Sequence, residues 1–348
     1  MTDGPRNSAP AGAKAHLPGL SSETATGADE NLTSTPGRGR RGLGYAIVAL
    51  VALIGTATLL GLFEPWLRYL ELVNVFRLQY AVLLGAAALA AILLKRFPLA
   101  AVALLLAGVN LFLISQVSIA SSQAADGSGR LRVLIANVEY RNGEYDRLAR
   151  LIEETDPDVI GLTELTPAWV KGLEPSLAAY DERRLEPQEG AYGIGLYSKV
   201  PLAELRTERF PADGPPTLIA NVDLQGHRVG LVVTHVHTPF AGAIHDRHLE
   251  ALASSRPQLA DRLAVCGDFN TVPWSESLRD FSSDAHLRAV HGRFGLPGTW
   301  PAGALLLRVP IDNCLLSEGV AVAAKRVGPD IGSDHLPLIV DLALARDS

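Results

Sequence analysis

Residues 130–348 of this 348-residue chain lack any basic cluster larger than Arg183-Arg184, and acidic residues outnumber basic ones in this part. Nucleic-acid-binding proteins usually carry a basic patch that matches the phosphate backbone. Its absence argues against a nucleic-acid partner, without excluding a nuclease.

Cysteine is also scarce, with only Cys266 and Cys314. Both lie in predicted strands, and the sequence leaves open a disulfide between them or two buried free thiols.

Three long stretches contain no charged residue, namely 42–63, 78–94 and 97–120. A helix needs about 20 apolar residues to cross the bilayer core, with about 17 as the lower limit. All three stretches reach that limit, so we predict a membrane domain of three transmembrane helices over residues 42–120. Residues 1–41 lack any apolar run that could bury itself, which predicts a disordered cytoplasmic tail. A signal peptide does not fit, because the first apolar run begins too deep in the chain.

Basic residues flank these stretches unevenly and predict the orientation of the chain. Arg38, Arg40 and Arg41 precede the first stretch, and Lys95-Arg96 separate the second from the third. Because cytoplasmic loops carry an excess of lysine and arginine, we expect the N-terminus and the Lys95-Arg96 turn in the cytoplasm. Three crossings then place everything after residue 120 on the outer side of the cell membrane. If 78–94 did not span, two crossings would leave that part inside.

A different pattern begins after a linker at 121–129 that is rich in Ser, Ala and Gly. Short apolar runs alternate there with helix-like segments, which is typical of an α/β domain with buried sheets. Predicted strands cover 131–136, 159–162, 193–197, 217–222, 229–234, 263–266, 311–316 and 336–342. Predicted helices cover 144–155, 244–260 and 275–281. We therefore expect one layered α/β domain over residues 130–348, large enough to bury a sizeable core.

Polar side chains follow the predicted strands at the point where each strand ends. These residues are Asn137, Glu139, Glu164, His235, Asp268, Asn270, Asp312, Asp334 and His335. A carboxylate at a buried strand end needs a partner or a metal, because burying it alone is costly. Carboxylate, amide and imidazole groups together are what metal-assisted attack on a phosphate requires. A helix cap or a surface turn would explain one Asp-His pair, but not this whole set.

Several short motifs occur in a fixed order between residues 131 and 342. They are Asn137-Val138-Glu139, Thr163-Glu164, Tyr197-Ser198-Lys199, Thr234-His235, Gly267-Asp268-Phe269-Asn270, Ile311-Asp312 and Ser333-Asp334-His335. This ordered set resembles the endonuclease/exonuclease/phosphatase superfamily. The resemblance implies a two-sheet α/β sandwich of the four-layer DNase I-like type and metal-dependent hydrolysis of phosphoric esters or anhydrides. Three N-terminal spans before a compact domain further resemble the VanJ-type and YafD-type membrane proteins, the former associated with glycopeptide resistance.

The resemblance implies Mg²⁺ as the cofactor, with Mn²⁺ as the alternative metal. Glu164 would be the principal ligand, with Asn137 and Glu139 beside it, and Asp334 would complete the metal environment. Many family members carry Asp at the position of Glu139. The longer side chain of Glu139 puts direct metal contact in doubt, and a solvated strand-end position is the alternative.

The same resemblance implies a catalytic role for the other matching residues. Asp268 would orient or deprotonate the attacking water, and Asn270 would hold a phosphoryl oxygen. His335 would stabilise the charge that grows on phosphorus, and Asp312 would keep it in the right tautomer. His235 would donate to the leaving oxygen. Such positioning and electrostatic stabilisation supply most of what phosphoryl transfer requires.

Other polar and aromatic residues near these motifs have simpler expected roles. His237 follows His235 by two residues and points the same way in a strand, so either histidine could face the phosphate. We expect His237 to be a satisfied residue at the rim. Tyr192 and Trp300 are expected to pack within the domain, and His248 is expected to be solvated.

The expected substrate is a small phosphate on a lipid, such as a polyprenyl pyrophosphate carrier of cell-wall synthesis. One span would tether the domain, so the extra helices are expected to shape access for a lipid, and the acidic balance repels polyanions. The alternative enzymes are an extracytoplasmic nuclease and a phospholipid phosphodiesterase. The alternative outside enzymes is an inactive module that binds a lipid or a partner, although no member of the polar set is missing. The sequence indicates no oligomeric state.

Overall fold

The computed structural model of the protein describes residues 36–120, 122–125, 129–290 and 297–346. Most of the predicted N-terminal tail lies outside these residues. The last part of that tail, 36–41, is helical, because the first helix begins at Pro36 rather than at Gly42. The helix thus begins six residues before the predicted start of the membrane domain, whose bounds stay a prediction.

Three long apolar helices lead to the C-terminal domain. They are α1 (Pro36–Leu60), α3 (Arg77–Leu93) and α4 (Phe97–Ser115), and the short helix α2 (Glu71–Asn74) precedes α3. The segments Gly39–Phe63 and Phe97–Ser115 are each long and apolar enough to cross a membrane. Helix α3 passes the same test only together with Arg68–Asn74, across a bend of 49°. Within the part of the chain that the structure describes, two helices thus have spanning length, or three if the bent pair forms one span.

Small residues let these three helices pack closely. Ala87 and Ala91 of α3 and Ala103 of α4 are buried against Val51 of α1. Alanine permits the backbones of neighbouring helices to approach, and this approach is a main source of cohesion between helices in a lipid environment.

The C-terminal domain contains two six-stranded sheets that pack face to face. The strands are β1 (Leu131–Asn137), β2 (Val159–Thr163), β3 (Glu182–Glu186), β4 (Ile194–Ser198), β5 (Leu202–Arg209), β6 (Pro216–Leu224), β7 (His227–His235), β8 (Arg262–Asp268), β9 (Arg288–Ala289), β10 (Asp312–Leu316), β11 (Val320–Val327) and β12 (Leu338–Leu344). One sheet has the order β11-β12-β1-β2-β4-β3, and the other β5-β6-β7-β8-β10-β9. The central pairs β1–β2 and β7–β8 are parallel.

Helices cover the outer face of each sheet. Helices α5 (Tyr145–Thr155) and α6 (Pro167–Leu173) pack on the first sheet, and α7 (Ala243–Ser254) and α8 (Glu276–Asp284) on the second. The main core lies between the sheets, where side chains such as Val133, Leu231 and Val340 interdigitate. This arrangement confirms the four-layer DNase I-like sandwich expected from the motifs.

All eight predicted strands are present, and the structure adds four more together with α6. The predicted helix 244–260 is too long, because α7 ends at Ser254 and a 3-10 turn, Arg256–Gln258, follows.

Cys266 of β8 lies directly opposite Cys314 of β10, and the two form a disulfide. Of the two alternatives that the sequence left open, a disulfide or two free thiols, the structure contains the disulfide.

Candidate active site

The ends of four strands from both sheets meet at one rim of the sandwich. Asn137 ends β1, His235 ends β7 beside Asp268 at the end of β8, and Asp312 begins β10 opposite Asp268. Because β10 runs antiparallel to β8, its first residue lies at the same edge as the last residue of β8. Nδ2 of Asn137 donates to Oδ2 of Asp268 over 3.0 Å, which joins the rim of one sheet to that of the other.

Three of the predicted site residues have a left-handed backbone. Glu139, Glu164 and Asn270 have φ values of +56°, +58° and +54°. Non-glycine residues rarely adopt this conformation, which costs on the order of 1–3 kcal/mol and concentrates at functional sites. All three lie one or two residues after the end of a strand, so the chain changes direction at the rim where these residues stand.

The carboxylate of Glu164 is held through both oxygens. Oε1 accepts from Nδ2 of Asn137 over 3.1 Å, and Oε2 accepts from the backbone N–H of Tyr140 over 3.1 Å. Asn137 is itself fixed, because its Oδ1 accepts from the N–H of Glu139 over 2.9 Å. Asn137 therefore orients Glu164 and Asp268 together.

His335 forms a buried pair with Asp312. Its Nδ1 donates to Oδ2 of Asp312 over 2.8 Å, and its Nε2 lies 3.7 Å from Oδ2 of Asp268. Burial lowers the pKa of this imidazole, but the negative charges of Asp312 and Asp268 outweigh burial and raise the pKa to about 10. The ring is thus a cation at neutral pH, and Nε2 carries a proton that it can donate.

Asp268 lies at the centre of the cluster and is almost completely buried. Burial raises the pKa of its carboxyl above the ordinary value; the cation of His335 works against this shift, and the charge of Asp312 adds to it. Oδ1 of Asp268 accepts from the N–H of Asn270 over 2.8 Å. A carboxylate with a raised pKa and fixed orientation can accept a proton from a nearby water.

His235 and Asn270 lie together on the other side of Asp268. Nε2 of His235 is 3.5 Å from Oδ2 of Asp268 and 3.1 Å from Nδ2 of Asn270. The amide of Asn270 also donates to the carbonyl of Val236 over 2.8 Å, which fixes its side chain. The structure thus places His235 in the cluster, whereas His237 is not among the residues that line the cavity. The expectation of a satisfied His237 is wrong, because its buried Nδ1 has no hydrogen-bond partner among the described residues.

Glu139 and Asp334 lie at the outer edge of the site. Oε2 of Glu139 accepts from the backbone N–H of Asp334 over 3.1 Å. Oδ2 of Asp334 accepts from Nε1 of Trp300 over 3.0 Å, and this carboxylate is exposed. Glu139 therefore holds the loop that carries Asp334 and His335, and direct metal contact by Glu139 stays a prediction.

A cavity of about 420 Å³ opens over these residues. Its polar lining comes from Glu164, His235, Asp268, Asn270, Asp334 and His335. Tyr192 and Trp300 also line this cavity, although they were expected to pack inside the domain. The sequence therefore did not predict these two aromatic side chains in the cavity wall. A larger cavity of about 580 Å³ lies elsewhere and contains none of the predicted site residues.

The donor groups of this cavity fit a divalent cation. Glu164, Asp268 and Asp334 bring three carboxylates to one space, and among the described residues that line it none is lysine or arginine. Such a concentration of negative charge needs a compensating cation, and hard oxygen ligands suit Mg²⁺ or Mn²⁺. His335 compensates part of the charge, while Glu164 and Asp334 lie nearer the opening.

A second group of histidines lies behind the site. The rings of His237 and Tyr192 are 5.0 Å apart, and the rings of His237 and His248 are 5.6 Å apart. His248 is completely buried, so the expectation that it is solvated is wrong. The face of α7 that carries His248 packs against the domain. The sequence around this single polar residue did not indicate that burial.

The segment between α1 and α3 packs against the rim that carries the candidate site. Oε1 of Glu71 accepts from the hydroxyls of Thr271 and Ser277, the latter over 2.8 Å, and Thr271 follows Asn270 directly. The carbonyl of Asn74 accepts from Nε1 of Trp274 over 2.8 Å. This segment also contributes Leu72, Val75 and Phe76 to the wall of the 420 Å³ cavity. Its sequence contains no motif that would have placed it there.

Solved structures of similar fold include D. rerio TDP2 in complex with a single-strand DNA product, with 18% identity, a TM-score of 0.52, and coverage of 62% of this chain and 99% of that one. A family protein from Bacteroides thetaiotaomicron shows 16% identity, a TM-score of 0.53, and coverage of 63% and 99%. One from Beutenbergia cavernae shows 21% identity, a TM-score of 0.50, and coverage of 62% and 72%. At these identities the likeness shows the fold.

No curated protein sequence matches the chain significantly. The model of the Endonuclease/Exonuclease/phosphatase family matches residues 134–335, which is more than half of the chain and includes the whole predicted site from Asn137 to His335. Members of this family are divalent-metal-dependent hydrolases of phosphoester bonds. With the sandwich fold and the clustered acid, amide and imidazole groups, this match shows that the chain belongs to the Endonuclease/Exonuclease/phosphatase family.

Proposed function

We propose that this protein is a membrane-anchored, metal-dependent hydrolase that cleaves a lipid-linked pyrophosphate, such as a polyprenyl carrier of cell-wall synthesis, on the outer side of the cell membrane. The observation that carries the proposal is the composition of the catalytic cavity. Its polar floor includes Glu164, Asp268 and His335, and one apolar wall is Leu72, Val75 and Phe76 from the segment between the membrane helices. Phosphate and hydrocarbon therefore each have a matching surface in one cavity.

Residues at the rim have assigned roles in this reaction. Glu164 would hold the divalent ion together with Asp334, Asn137 and Glu139, and the ion would supply charge neutralisation for the phosphoryl oxygens. Asp268 orients the attacking water and takes its proton. This proton acceptor lies within 4 Å of both His235 and His335, so water, phosphate and proton donor can converge on one point.

The imidazoles and the amide complete the mechanism. The cation of His335, oriented by Asp312, donates from Nε2 to the phosphoryl oxygen on which charge grows. Asn270 holds a second phosphoryl oxygen, and His235 donates to the leaving oxygen. The reaction adds one water across the anhydride and releases inorganic phosphate and a lipid monophosphate.

The arrangement of the membrane helices supports an outer location for the catalytic domain. The guanidinium of Arg96, between α3 and α4, lies against Gly44 near the start of α1. The basic residues in the first two turns of α1 and those at Lys95-Arg96 therefore share one end of the helices, while the catalytic domain packs at the other end. With three crossings, the positive-inside rule assigns the basic end to the cytoplasm.

Architecture links the proposal to antibiotic resistance. Three membrane helices before such a domain resemble the VanJ-type and YafD-type proteins, and a change in lipid-carrier turnover would alter sensitivity to glycopeptide antibiotics. The metal-binding and catalytic residues are all present, which argues against an inactive binding module.

A second candidate function is hydrolysis of a nucleic acid. The observation that favours it is the likeness in fold to D. rerio TDP2, whose structure was solved with a single-strand DNA product. Two observations argue against this function, namely the acidic balance of the domain and the lack of lysine and arginine among the described residues that line the cavity. A nucleic-acid site usually presents basic residues to the phosphate backbone.

A substrate panel at one Mg²⁺ concentration separates these functions. The purified full chain is given a polyprenyl pyrophosphate, a phospholipid and single-stranded DNA, each with and without EDTA. The proposal expects the largest kcat/KM on the pyrophosphate. A larger value on DNA or phospholipid would keep the hydrolase fold and discard the lipid-carrier substrate.

A further inference from the structure

Large exposed apolar side chains on the catalytic domain are not scattered. Among its described residues, 129–290 and 297–346, they occur in two segments only. The first segment holds Phe240 and Ile244, which are 77% and 42% exposed. The second is Leu305–Leu307, whose side chains are 72%, 85% and 52% exposed. We call these two segments the apolar collar.

Both segments of the collar lie against the membrane-proximal part of the chain. The hydroxyl of Tyr69 is 3.0 Å from the position that a Cβ would take on Gly242, between Phe240 and Ile244. Nε2 of Gln79, in the first turn of α3, donates to the carbonyl of Arg308 over 3.0 Å. The collar is therefore at the level where the apolar helices meet the domain.

The collar also borders the mouth of the catalytic cavity. Phe240 lines the cavity itself, and Val309, two residues after Leu307, lines it from the other side. Leu72, Val75 and Phe76 complete an apolar boundary that continues toward α3. Apolar residues of the domain and of the segment that leads into α3 therefore line the same cavity as the reacting groups.

Contiguous exposed apolar surface on a protein marks a site of contact with another apolar phase. Aromatic and aliphatic side chains at the end of a membrane helix are typical of the zone where the bilayer meets water. Segment 304–307 carries no charged residue, so no group there opposes immersion. The neighbouring helices also bring the bilayer to the collar, which selects lipid over a soluble partner as the occupant.

We propose that Phe240, Ile244 and Leu305–Leu307 are immersed in the bilayer that the chain's own helices cross, so that the catalytic cavity opens directly into lipid. This inference rests on the membrane anchoring in the proposed function and not on the identity of the substrate. A lipid-linked substrate would then reach Glu164 and Asp268 without its tail leaving the bilayer. The headgroup alone would move into the polar part of the cavity.

Site-directed fluorescence on the full chain tests this location. A single cysteine is introduced as Leu306→Cys and labelled with an environment-sensitive fluorophore, and Phe240→Cys gives a second site. Both native cysteines are in the disulfide, so the introduced thiol is the one labelled. The matched control is His227→Cys, an exposed position at the start of β7, roughly 25–30 Å along the strand from the rim.

Each labelled protein is reconstituted in lipid nanodiscs, and quenching is measured with lipid-attached nitroxide and with iodide in water. We expect the nitroxide to quench the label at 306 or 240 at least several-fold more than at 227, and iodide to show the reverse order. Equal iodide quenching at all three sites would overturn the proposal.

An activity measurement keeps this proposal distinct from the proposed function. The triple variant Leu305→Ser, Leu306→Ser, Leu307→Ser is expected to lose at least tenfold in kcat/KM on a lipid-embedded substrate and nothing on bis-p-nitrophenyl phosphate in water. Equal loss on both substrates would contradict immersion. Because quenching requires no turnover, failure to cleave any lipid pyrophosphate would remove the proposed function and leave the location of the collar standing.

Discussion

Nδ1 of His335 donates to Oδ2 of Asp312 over 2.8 Å, and both side chains are buried beneath the catalytic cavity. Asp312 begins β10, whereas His335 lies just before β12 in the other sheet, so this bond crosses the sandwich. It leaves Nε2 of His335 facing Asp268 and the cavity. The pair therefore favours the protonated imidazole and fixes its direction, and the proposed mechanism depends on both.

Breaking this pair is expected to lower kcat with little change in KM. Loss of one preorganised donor typically costs about 10²–10³-fold in kcat, so we expect about that loss for His335→Ala. Asp312→Asn is expected to cost less, because the imidazole remains but loses the charge that keeps it protonated. Steady-state kinetics on the full chain measure both. Asp223→Asn, at an exposed position near the end of β6, is the control, and unchanged kcat in His335→Ala would contradict the assigned role.

Replacement of Glu164 is expected to weaken binding of the divalent metal ion. The Glu164→Gln variant retains size and hydrogen-bonding capacity but loses the charge that suits a divalent ion. We expect the Mg²⁺ concentration for half-maximal activity to rise by about tenfold or more, as for changes that cost metal affinity about 10–100-fold. Titration of Mg²⁺ after EDTA treatment measures this. Glu153→Gln, on the exposed face of α5, should titrate like the wild type.

The disulfide predicts a redox-dependent stability. Cys266 and Cys314 are 48 residues apart, and closing a loop of this length stabilises a fold by about 4 kcal/mol in the chain-entropy description. Reductant is therefore expected to lower the temperature of half-inactivation by roughly 10 °C, at about 2–4 °C per kcal/mol for a domain of this size. The double variant Cys266→Ala, Cys314→Ala should show the lower temperature with or without reductant. Free thiols in the unreduced protein would contradict the assignment.

His248 predicts a loss of stability in acid. Burial lowers its pKa to about 3, with further lowering by the charges of His237, His245 and His235, and neither ring nitrogen has a hydrogen-bond partner among the described residues. An unfolded histidine has a pKa of about 6.5, so between these values only the unfolded chain binds the proton. The free energy of unfolding therefore falls as pH falls, by up to about 1.4 kcal/mol per pH unit.

Thermal inactivation between pH 7 and 4.5 measures this effect. The His248→Leu variant is expected to lose stability less steeply than the wild type as the pH is lowered. His227→Leu, at an exposed position, should follow the wild type. Parallel curves for all three proteins would contradict the assignment of this titration to His248.

The inner strands could be predicted from the sequence because they are apolar on both faces. The eight predicted strands are the inner four of each sheet, and the four that were missed, β3, β5, β9 and β11, are the sheet edges. The edge strand Glu182–Glu186 carries exposed polar residues, so no apolar run marks it. Strand β11 does begin with a short apolar run, at 320–324, which was not recognised as a strand. The site residues could be predicted for the same reason, because they lie at or close to the ends of inner strands.

What could not be predicted depends on contacts between distant parts of the chain. Glu71 lies 200 residues from Thr271, in the segment 64–77 that separates the first two predicted spans. Tyr192 and Trp300 became walls of the cavity through loops whose paths no periodicity indicates. His248 is buried because the face of α7 that carries it packs toward His237, which is a property of the assembled layers.

The most direct test of the central claim is phosphate release from undecaprenyl pyrophosphate by the purified full chain in detergent. It is measured with Mg²⁺, with EDTA, and with the His335→Ala variant. We predict release that requires Mg²⁺ and falls by about 10²-fold or more in the variant. Absence of release, from a preparation that cleaves DNA or a phospholipid, would contradict the claim that this family member acts on a lipid-linked pyrophosphate.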